Sequence, residues 1–318
     1  MNFQKREISV LNGTVCCGTQ QGVRLLRCTE NYVSVLSQLF LPILNVRSIA
    51  LVDENTVAYC CYANKDTSPS AVYIQKVFWE QTPAKELIAL EKQTVVKTEK
   101  MTLRFPEEIH FVNCLDNKLI VVANTHIFVY ETIEFRTIET HPIVYPLLVD
   151  ATILDGNLVY SNVDNCQIQF VYVGGVKSSL DIDKEEFTFV RILNDNYAIV
   201  GTSTFAYFHA LKTRNKQIKL SFDTTYIECV ASIMFGKYCV IVMRNADGSK
   251  MLAFNTTVSS TTSPCFTFEL VPYDVPCFLT QIQNDGKLFL VLFSRKSFIF
   301  FDSDMKFVTQ KTYKIGRP

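Results

Sequence analysis

The chain has 318 residues, 48% of them hydrophobic, and its 31 basic residues are balanced by 31 acidic ones. This composition excludes an intrinsically disordered chain and allows a sizeable buried core. The zero net charge excludes a general electrostatic attraction to nucleic acid or to anionic membranes, so any anion site has to be local.

Pairs of short apolar segments, rich in β-branched residues and separated by turn residues, recur along the chain. Such pairs are typical of antiparallel β-hairpins. Their starts are mostly about 40 residues apart, with longer gaps before the third and the seventh pair. The seven predicted hairpins are 14–17 with 23–26, 56–62 with 71–75, 119–123 with 127–130, 157–160 with 167–173, 197–200 with 205–210, 238–243 with 250–254, and 287–293 with 297–301.

The third hairpin lies in a stretch that contains a complete repeat, FPEEIHFVNCLDNKLIVVANTHIFVYETIEFRTIETH at residues 105–141. This stretch predicts four strands: 109–114, the two hairpin arms, and 135–139. Apolar segments that precede the hairpins are expected to be inner strands covered on both faces. They are 46–52, 109–112, 147–154, 187–192, 229–235 and 278–282. Four strands in each of seven repeats predict an all-β fold, a single seven-bladed β-propeller of the WD40 type that occupies residues 1–318.

A strand exchange between the two ends of the chain is also expected. A propeller is usually closed by an outer strand from one terminus that completes a sheet begun at the other, and residues 7–11 and 306–313 are the candidates. Helix formers cluster only in residues 86–98, and the VVKT end of that window weakens a helix prediction even there. Almost no helix is therefore expected in the chain.

The cysteines and the absence of an export signal indicate the cellular compartment. The N-terminus has no apolar signal segment, and the longest apolar stretch, 33–52, is too polar for a membrane helix. We therefore expect a cytoplasmic protein whose eleven cysteines are reduced and mostly buried, with a disulfide or metal framework as the alternative. The cysteines that lie in or beside apolar segments are Cys28, Cys114, Cys166, Cys229 and Cys239.

The sequence lacks the residue patterns of catalytic and metal sites. Its four histidines do not have the spacing of a metal pair, and the adjacent pairs Cys16-Cys17 and Cys60-Cys61 are not CxxC motifs. GxSxG, Walker and GxGxxG motifs are missing as well. We therefore expect a protein that is not an enzyme and that uses no cofactor and no metal.

Basic residues cluster once, at Lys212, Arg214, Lys216 and Lys219. Alternation along an extended segment would place these side chains on one face. The cluster has two interpretations. It is either a solvated outer edge, whose lysines discourage aggregation through the edge, or a patch that binds an anion.

Three stretches resemble the PROPPIN family, seven-bladed β-propellers that bind phosphoinositides and act in autophagy. They are GTQQGVRLL at 18–26, the stretch from 105 continued to Pro142, and YCVIVMRNADGSKMLAFN at 238–255. The middle stretch carries most of the resemblance, because its order of strands and turns, its IFVYE strand and its TIET segment recur in that family. The resemblance covers essentially the whole chain, although identities are sparse outside these blocks.

The resemblance implies a phosphate site built on a Phe-Arg-Arg-Gly motif after the fifth blade. Arginine suits phosphate there because its planar group donates two hydrogen bonds at once. The matching run in this chain is Leu220-Ser221-Phe222-Asp223, preceded by Lys219, and both arginines are missing.

Other positions depart from the family in the same direction. Thr202 and Ser203 keep the hydroxyl groups that flank the family's site, but Tyr207 stands where an arginine is expected and Asp181 stands near an expected histidine. The long blade-six insertion that enters the bilayer in the family is reduced to residues 256–264. The departures therefore concern membrane binding, whereas the features typical of the fold are kept.

We expect a PROPPIN-like scaffold that acts in autophagy or endosomal membrane trafficking and binds phosphatidylinositol 3-phosphate weakly. The alternative is a protein–protein interaction platform that has lost lipid binding, and fold analogy does not choose between the two. The expected partners are proteins of the autophagy or trafficking machinery and phosphoinositide membranes, without nucleic acid, and the expected state is a monomer. The expected location is the cytoplasm and the surface of autophagic or endosomal membranes. The expected lipid-binding residues are Thr202, Ser203, Lys212, Arg214, Lys216 and Lys219.

Overall fold

The strands form seven four-stranded sheets. Neighbouring strands pair in antiparallel fashion, as in the complete ladders of the second and the sixth sheet. The computed structural model describes residues 8–18, 22–28, 35–43, 45–64, 67–79, 95–172, 175–181, 186–212, 217–257, 262–270, 276–294 and 297–312.

The first three sheets are built from twelve consecutive strands. Sheet 1 contains β1 (Ile8–Leu11), β2 (Thr14–Gly18), β3 (Val23–Cys28) and β4 (Val35–Leu41). Sheet 2 contains β5 (Val46–Asp53), β6 (Thr56–Cys61), β7 (Ala71–Trp79) and β8 (Val95–Arg104). Sheet 3 contains β9 (Ile109–Leu115), β10 (Lys118–Ala123), β11 (His126–Glu131) and β12 (Thr137–Pro142).

A short 3-10 helix, Pro146–Leu148, precedes the remaining four sheets. Sheet 4 contains β13 (Ala151–Leu154), β14 (Asn157–Asp164), β15 (Gln167–Tyr172) and β16 (Gly175–Asp181). Sheet 5 contains β17 (Phe189–Ile192), β18 (Tyr197–Gly201), β19 (Phe205–Ala210) and β20 (Gln217–Ser221). Sheet 6 contains β21 (Glu228–Phe235), β22 (Tyr238–Arg244), β23 (Ser249–Asn255) and β24 (Phe266–Leu270). Sheet 7 contains β25 (Pro276–Asn284), β26 (Lys287–Ser294), β27 (Ser297–Phe301) and β28 (Phe307–Thr312).

Seven sheets of four strands in chain order are the blades of a β-propeller, and the predicted fold class is confirmed. Each predicted hairpin forms the second and third strands of one sheet, as β10 and β11 do around the turn at Asn124. The longer interval before the third hairpin contains the fourth strand of sheet 2, which begins at Val95.

The expected strand exchange between the termini is wrong for the part of the chain described. The first strand, β1, pairs with β2 within sheet 1, and β28 is the outer strand of sheet 7 beside β27. Each sheet is thus made of four consecutive strands. Of the helix-prone window at 86–98, residues 86–94 lie outside the described residues, and the remainder is the beginning of β8.

Strand position within a sheet determines burial. The middle strands β2, β6 and β27 are buried along their entire length, whereas the outer strands β12 and β28 are mostly exposed. Buried strands covered on both faces need apolar or small side chains at every position, which explains their continuous apolar sequence. No helix among the described residues is both long and apolar enough to span a membrane.

The described residues fall into two compact units, one with the first three sheets and the other with sheets 4 to 6 and most of sheet 7. In the first unit, Arg47 of β5 connects two inner strands, because its guanidinium donates to the carbonyl of Ile109 at 2.8 Å and contacts Nδ1 of His110 at 2.9 Å. Next to it, the Ser48 hydroxyl accepts a hydrogen bond from the Val112 amide at 3.2 Å.

In the second unit, different charged side chains likewise bind backbone groups of a neighbouring sheet. Arg191 of β17 donates to the carbonyl of Cys229 in β21 at 2.5 Å. The buried carboxylate of Asp150 accepts a hydrogen bond from the Ile192 amide at 2.7 Å and thereby joins sheets 4 and 5. Charged side chains near inner strands therefore hold neighbouring sheets of a unit together by binding backbone groups.

The cysteines named from the sequence follow the prediction in part. Cys28, Cys229 and Cys239 are buried, Cys114 is half-buried, and the cysteines whose side chains the structure describes are free. Cys166 is exposed, because it lies in the turn between β14 and β15 with a positive φ of 59° rather than in a strand. Its prediction as a buried residue was wrong for this reason.

Thiol titration is expected to find few reactive cysteines in the native protein. Cys166 and Cys265 are exposed, whereas burial raises the pKa of the Cys28, Cys60 and Cys61 thiols to about 12, so little reactive thiolate forms at neutral pH. Denaturation without a reducing agent should release the others. A small number of thiols in the denatured, unreduced protein would instead reveal disulfides.

Candidate functional site

The residues expected to bind lipid lie in sheet 5, but at different ends of it. Thr202 and Ser203 form the turn between β18 and β19, and Lys212 follows the far end of β19. The six residues of β19 separate these ends by roughly 20 Å. Lys219 lies in β20, the next strand of sheet 5, while Arg214 and Lys216 fall outside the described residues.

Thr202 and Ser203 build the turn in which they lie. The Thr202 hydroxyl accepts hydrogen bonds from the amides of Thr204 at 3.2 Å and Phe205 at 3.3 Å. The Ser203 carbonyl accepts a hydrogen bond from the Tyr226 amide at 2.7 Å. The Thr202 side chain is buried, so its hydroxyl has a structural role at this position.

The two described lysines of the basic cluster each interact with a neighbour. Lys212 forms an ion pair with Asp195. The ammonium of Lys219 lies 4.0 Å from the centre of the Phe205 ring in a cation–π contact, and no carboxylate in the described part of the chain forms an ion pair with it. Lys219 is therefore the described cation of this cluster with charge to offer a ligand.

The run that matches the family's phosphate motif carries a negative charge. Asp223 accepts hydrogen bonds from the Tyr226 hydroxyl at 2.6 Å and from the Lys250 ammonium at 3.2 Å. Partial burial opposes ionisation of this carboxyl, but the hydrogen bonds from Tyr226 and Lys250 outweigh it and lower the pKa of Asp223. A carboxylate thus lies directly after Ser221 and Phe222, the two positions where the resemblance would place arginines, and it would repel a phosphate group.

Sequence reasoning named Asp223 but missed its partners. Lys250 belongs to β23 and also pairs with Glu269, which lies directly opposite on β24, at 3.3 Å. The cross-strand pair of Lys250 and Glu269 could have been found only from the register of sheet 6. Lys250 is consequently shared between two carboxylates.

The positions that depart from the family have local partners in the structure. Tyr207 packs edge to face against Phe205, with 5.4 Å between ring centres, and against Phe187, with 6.2 Å. Asp181 accepts a hydrogen bond from the side-chain amide of Gln167 at 2.7 Å. An aromatic contact and a carboxylate that accepts from a side-chain amide therefore stand where the resemblance implies basic groups.

The shortened blade-six insertion reaches back to sheet 5. Thr262 pairs in parallel with Leu220 at the outer edge of β20, where the Thr262 amide donates to the Lys219 carbonyl at 2.8 Å. The Ser221 amide in turn donates to the Thr262 carbonyl at 2.9 Å. We call residues 262–265 the strap, because they connect this edge to sheet 6 through a bond from the Cys265 amide to the Ala253 carbonyl at 2.9 Å.

A groove in the first unit is the other prominent surface feature. It comprises two adjoining cavities of about 600 and 610 Å³ that share Asp53, Lys76 and Asn117 among their lining residues. Its wall includes Met101 and Ile133, and Ile133 is 84% exposed. Within the described part of the chain, no three His, Cys, Asp or Glu side chains are grouped so that they could hold a metal ion.

Comparisons with known proteins define the fold. No protein-family profile and no curated protein sequence matches the chain. Among solved structures, it is similar to Hsv2 from Kluyveromyces marxianus, with a TM-score of 0.65, 11% identity, and coverage of 99% of this chain and 100% of that chain. Hsv2 from Kluyveromyces lactis with its complete 6CD loop has a TM-score of 0.63 and 9% identity, and the match covers 98% of this chain and 99% of that chain. The WD40 propeller domain of Doa1 has a TM-score of 0.57 and 11% identity, and the match covers 98% of this chain and 95% of that chain. At this identity the likeness concerns the fold, and at that level it confirms the resemblance to the PROPPIN family, whose Hsv2 propellers match this chain from end to end.

Proposed function

We propose that this protein is a PROPPIN-like propeller scaffold that acts in autophagy or endosomal membrane trafficking and binds phosphoinositides only weakly. The scaffold part rests on the propeller fold and its likeness to Hsv2 along the whole chain. The observation that carries the weak lipid binding is the altered motif, in which Ser221 and Phe222 stand where phosphate-binding arginines would be expected. The next residue is Asp223, a carboxylate bound to Tyr226 and Lys250.

The magnitude of the lost interactions supports weak binding. A hydrogen bond between charged groups contributes about 1.5–3 kcal/mol, so losing two bidentate arginines lowers affinity by roughly a hundredfold or more. Lysines at the same place act as point charges, are screened by salt and discriminate poorly among phosphorylated headgroups. Lys212 is in addition paired with Asp195.

Flotation with liposomes that contain phosphatidylinositol 3-phosphate tests this proposal. We expect weak binding that falls strongly with salt and is abolished when Lys212, Arg214, Lys216 and Lys219 are changed together to Ala. The matched control removes four charges elsewhere, at Lys76, Lys118, Lys237 and Lys287, and should retain the weak binding. Tight binding at physiological salt that survives the first fourfold change would mean that the lipid pocket lies elsewhere.

The partners and the location follow from the same proposal. Proteins of the autophagy or trafficking machinery are the proposed partners, and the protein is proposed to be cytoplasmic and peripheral on autophagic or endosomal membranes. Protein contacts have to supply most of this recruitment, since the lipid term is small.

The second candidate is a protein-docking platform without lipid binding. The groove along Asp53 and Lys76 favours it, because it combines exposed apolar side chains such as Ile133 with charges of both signs, as protein-binding surfaces do. The two candidates differ at low ionic strength. A complete lack of flotation there, with recruitment to trafficking membranes retained in cells, would select the docking platform.

A further inference from the structure

The outer edge of sheet 5 is already occupied by an extended segment. The strap bonds to the Lys219 carbonyl and the Ser221 amide on either side of Leu220. In a strand, both backbone groups of one residue point to the same side, and alternate residues point to opposite sides. Gln217, Lys219 and Ser221 therefore direct their backbone groups away from β19, along one edge that is longer than the single bridge formed by the strap.

The strap is held to this edge by backbone hydrogen bonds rather than by apolar burial. Its sequence is Thr262-Ser263-Pro264-Cys265, in which Ser263 and Cys265 are exposed and Thr262 is half-buried. A contact of this kind has little hydrophobic surface to lose when it opens. A longer extended segment that forms more hydrogen bonds along β20 can therefore replace it.

We propose that the edge of β20 is a docking site for an extended, acidic segment of a partner protein, which adds to sheet 5 as a fifth strand after displacing the strap. The strap itself indicates the direction and the size of the segment, which runs parallel to β20 and has a small hydroxyl residue beside Leu220. The preceding residue of the segment then lies beside Lys219 on the same face, where a carboxylate meets the ammonium above Phe205. This inference rests on the scaffold function proposed above and names one kind of partner.

Binding of a defined peptide to the full-length protein tests the proposal. The probe is a fluorescent peptide of alternating Glu and Thr, about ten residues long, which matches a long strand. In Thr262→Pro the strap loses the amide that donates to the Lys219 carbonyl. We expect this variant to bind the peptide about tenfold more tightly than the wild type. In the wild type the strap covers the edge most of the time, and the apparent affinity falls in proportion to the fraction of molecules whose edge is open. Thr262→Val keeps the amide and should bind as the wild type does.

A second peptide separates strand addition from simple charge attraction. It has Pro in place of each Thr, so it carries the same charge but cannot donate to the edge, and it should not bind. Equal affinity of the two peptides, or equal affinity of Thr262→Pro and the wild type, would overturn the proposal. Vesicles with phosphatidylinositol 3-phosphate form the other arm. If Thr262→Pro increased vesicle binding and left peptide binding unchanged, the edge would serve a membrane instead.

Hydrogen exchange of the wild-type protein makes the test independent of how the variants fold. Addition of the Glu/Thr peptide should accelerate exchange of the Thr262 amide, since the strap leaves, and should protect Lys219, whose amide points to the same edge. Unchanged exchange at Thr262 with bound peptide would contradict displacement. The peptide-binding and hydrogen-exchange assays contain no lipid and no cellular membrane, so their failure leaves the proposed trafficking function unaffected. Failure of the flotation assay likewise leaves the peptide proposal unaffected.

Discussion

Replacement of Arg47 by Met is expected to lower the free energy of unfolding by about 2–6 kcal/mol, because two buried acceptors lose a donor and each loss costs about 1–3 kcal/mol. Arg47 is 2% exposed. Its guanidinium donates hydrogen bonds to the Ile109 carbonyl and to the His110 ring, and it also forms an ion pair with Glu108 at 2.5 Å. Methionine has a similar length and fills the space, so the variant isolates the polar contribution.

Chemical denaturation measures this effect, and Arg136→Met is the matched control. Arg136 pairs with Glu134 at the surface, where the side chains are 74% and 55% exposed, and such pairs contribute at most about 1 kcal/mol. Burial and the nearby Arg47 charge lower the pKa of His110, so that pKa should rise in Arg47→Met. Equal stability of the two variants would mean that the Arg47 network does not hold sheets 2 and 3 together.

Replacement of Gly201 by Ala is expected to lower stability by about 3 kcal/mol, the upper range for overpacking a filled core. A Cβ atom at position 201 would overlap the ring of Phe189, which lies directly against the glycine backbone and is itself buried. Gly201 ends β18, next to Thr202, so the backbone of that turn would have to shift as well. The effect arises from close approach, since no unusual φ angle is required at this glycine.

Two further variants check this explanation by chemical denaturation. Gly175→Ala adds the same methyl group where no atom lies within 4 Å and should change stability little. Phe189→Leu combined with Gly201→Ala should recover part of the loss, because the smaller side chain makes room for the added methyl. The two single losses, added together, predict a stability for the double variant. If the measured stability is no higher than this prediction, the cause is not the Phe189 ring.

The sequence predicted the blades well because their determinants are local. Apolar segments define each hairpin within about 20 residues, and turn residues such as Asp116-Asn117, both with positive φ, separate it from the strand before it. The strand exchange was predicted wrongly, since the pairing of a terminal strand depends on which of two competing edges it reaches. Cys166 was misplaced for a different reason. It lies between the two predicted arms of its hairpin, directly before the apolar arm 167–173, and its position beside that arm was interpreted as burial.

The candidate site could be predicted only in part. The missing arginines were visible in the sequence, but the network of Asp223, Tyr226 and Lys250 depends on how β23 lies beside the loop after β20. The separation of Thr202 from Lys212 follows from the extended course of β19, which carries the chain from one end of sheet 5 to the other. The strap was unforeseeable, since the contact between Thr262 and Leu220 joins residues of different sheets through their backbone.

The construction of each sheet from four consecutive strands has a consequence for how the protein folds. A sheet that needs a strand from the far end of the chain cannot form until that end has been synthesised. Here even the long ladder of β7 and β8 joins residues that are no farther apart in sequence than Ala71 and Arg104. Contacts that are close in sequence form quickly, because little loop-closure entropy opposes them. The sheets can therefore form one after another as the chain leaves the ribosome, since each contains all four strands of its own ladder.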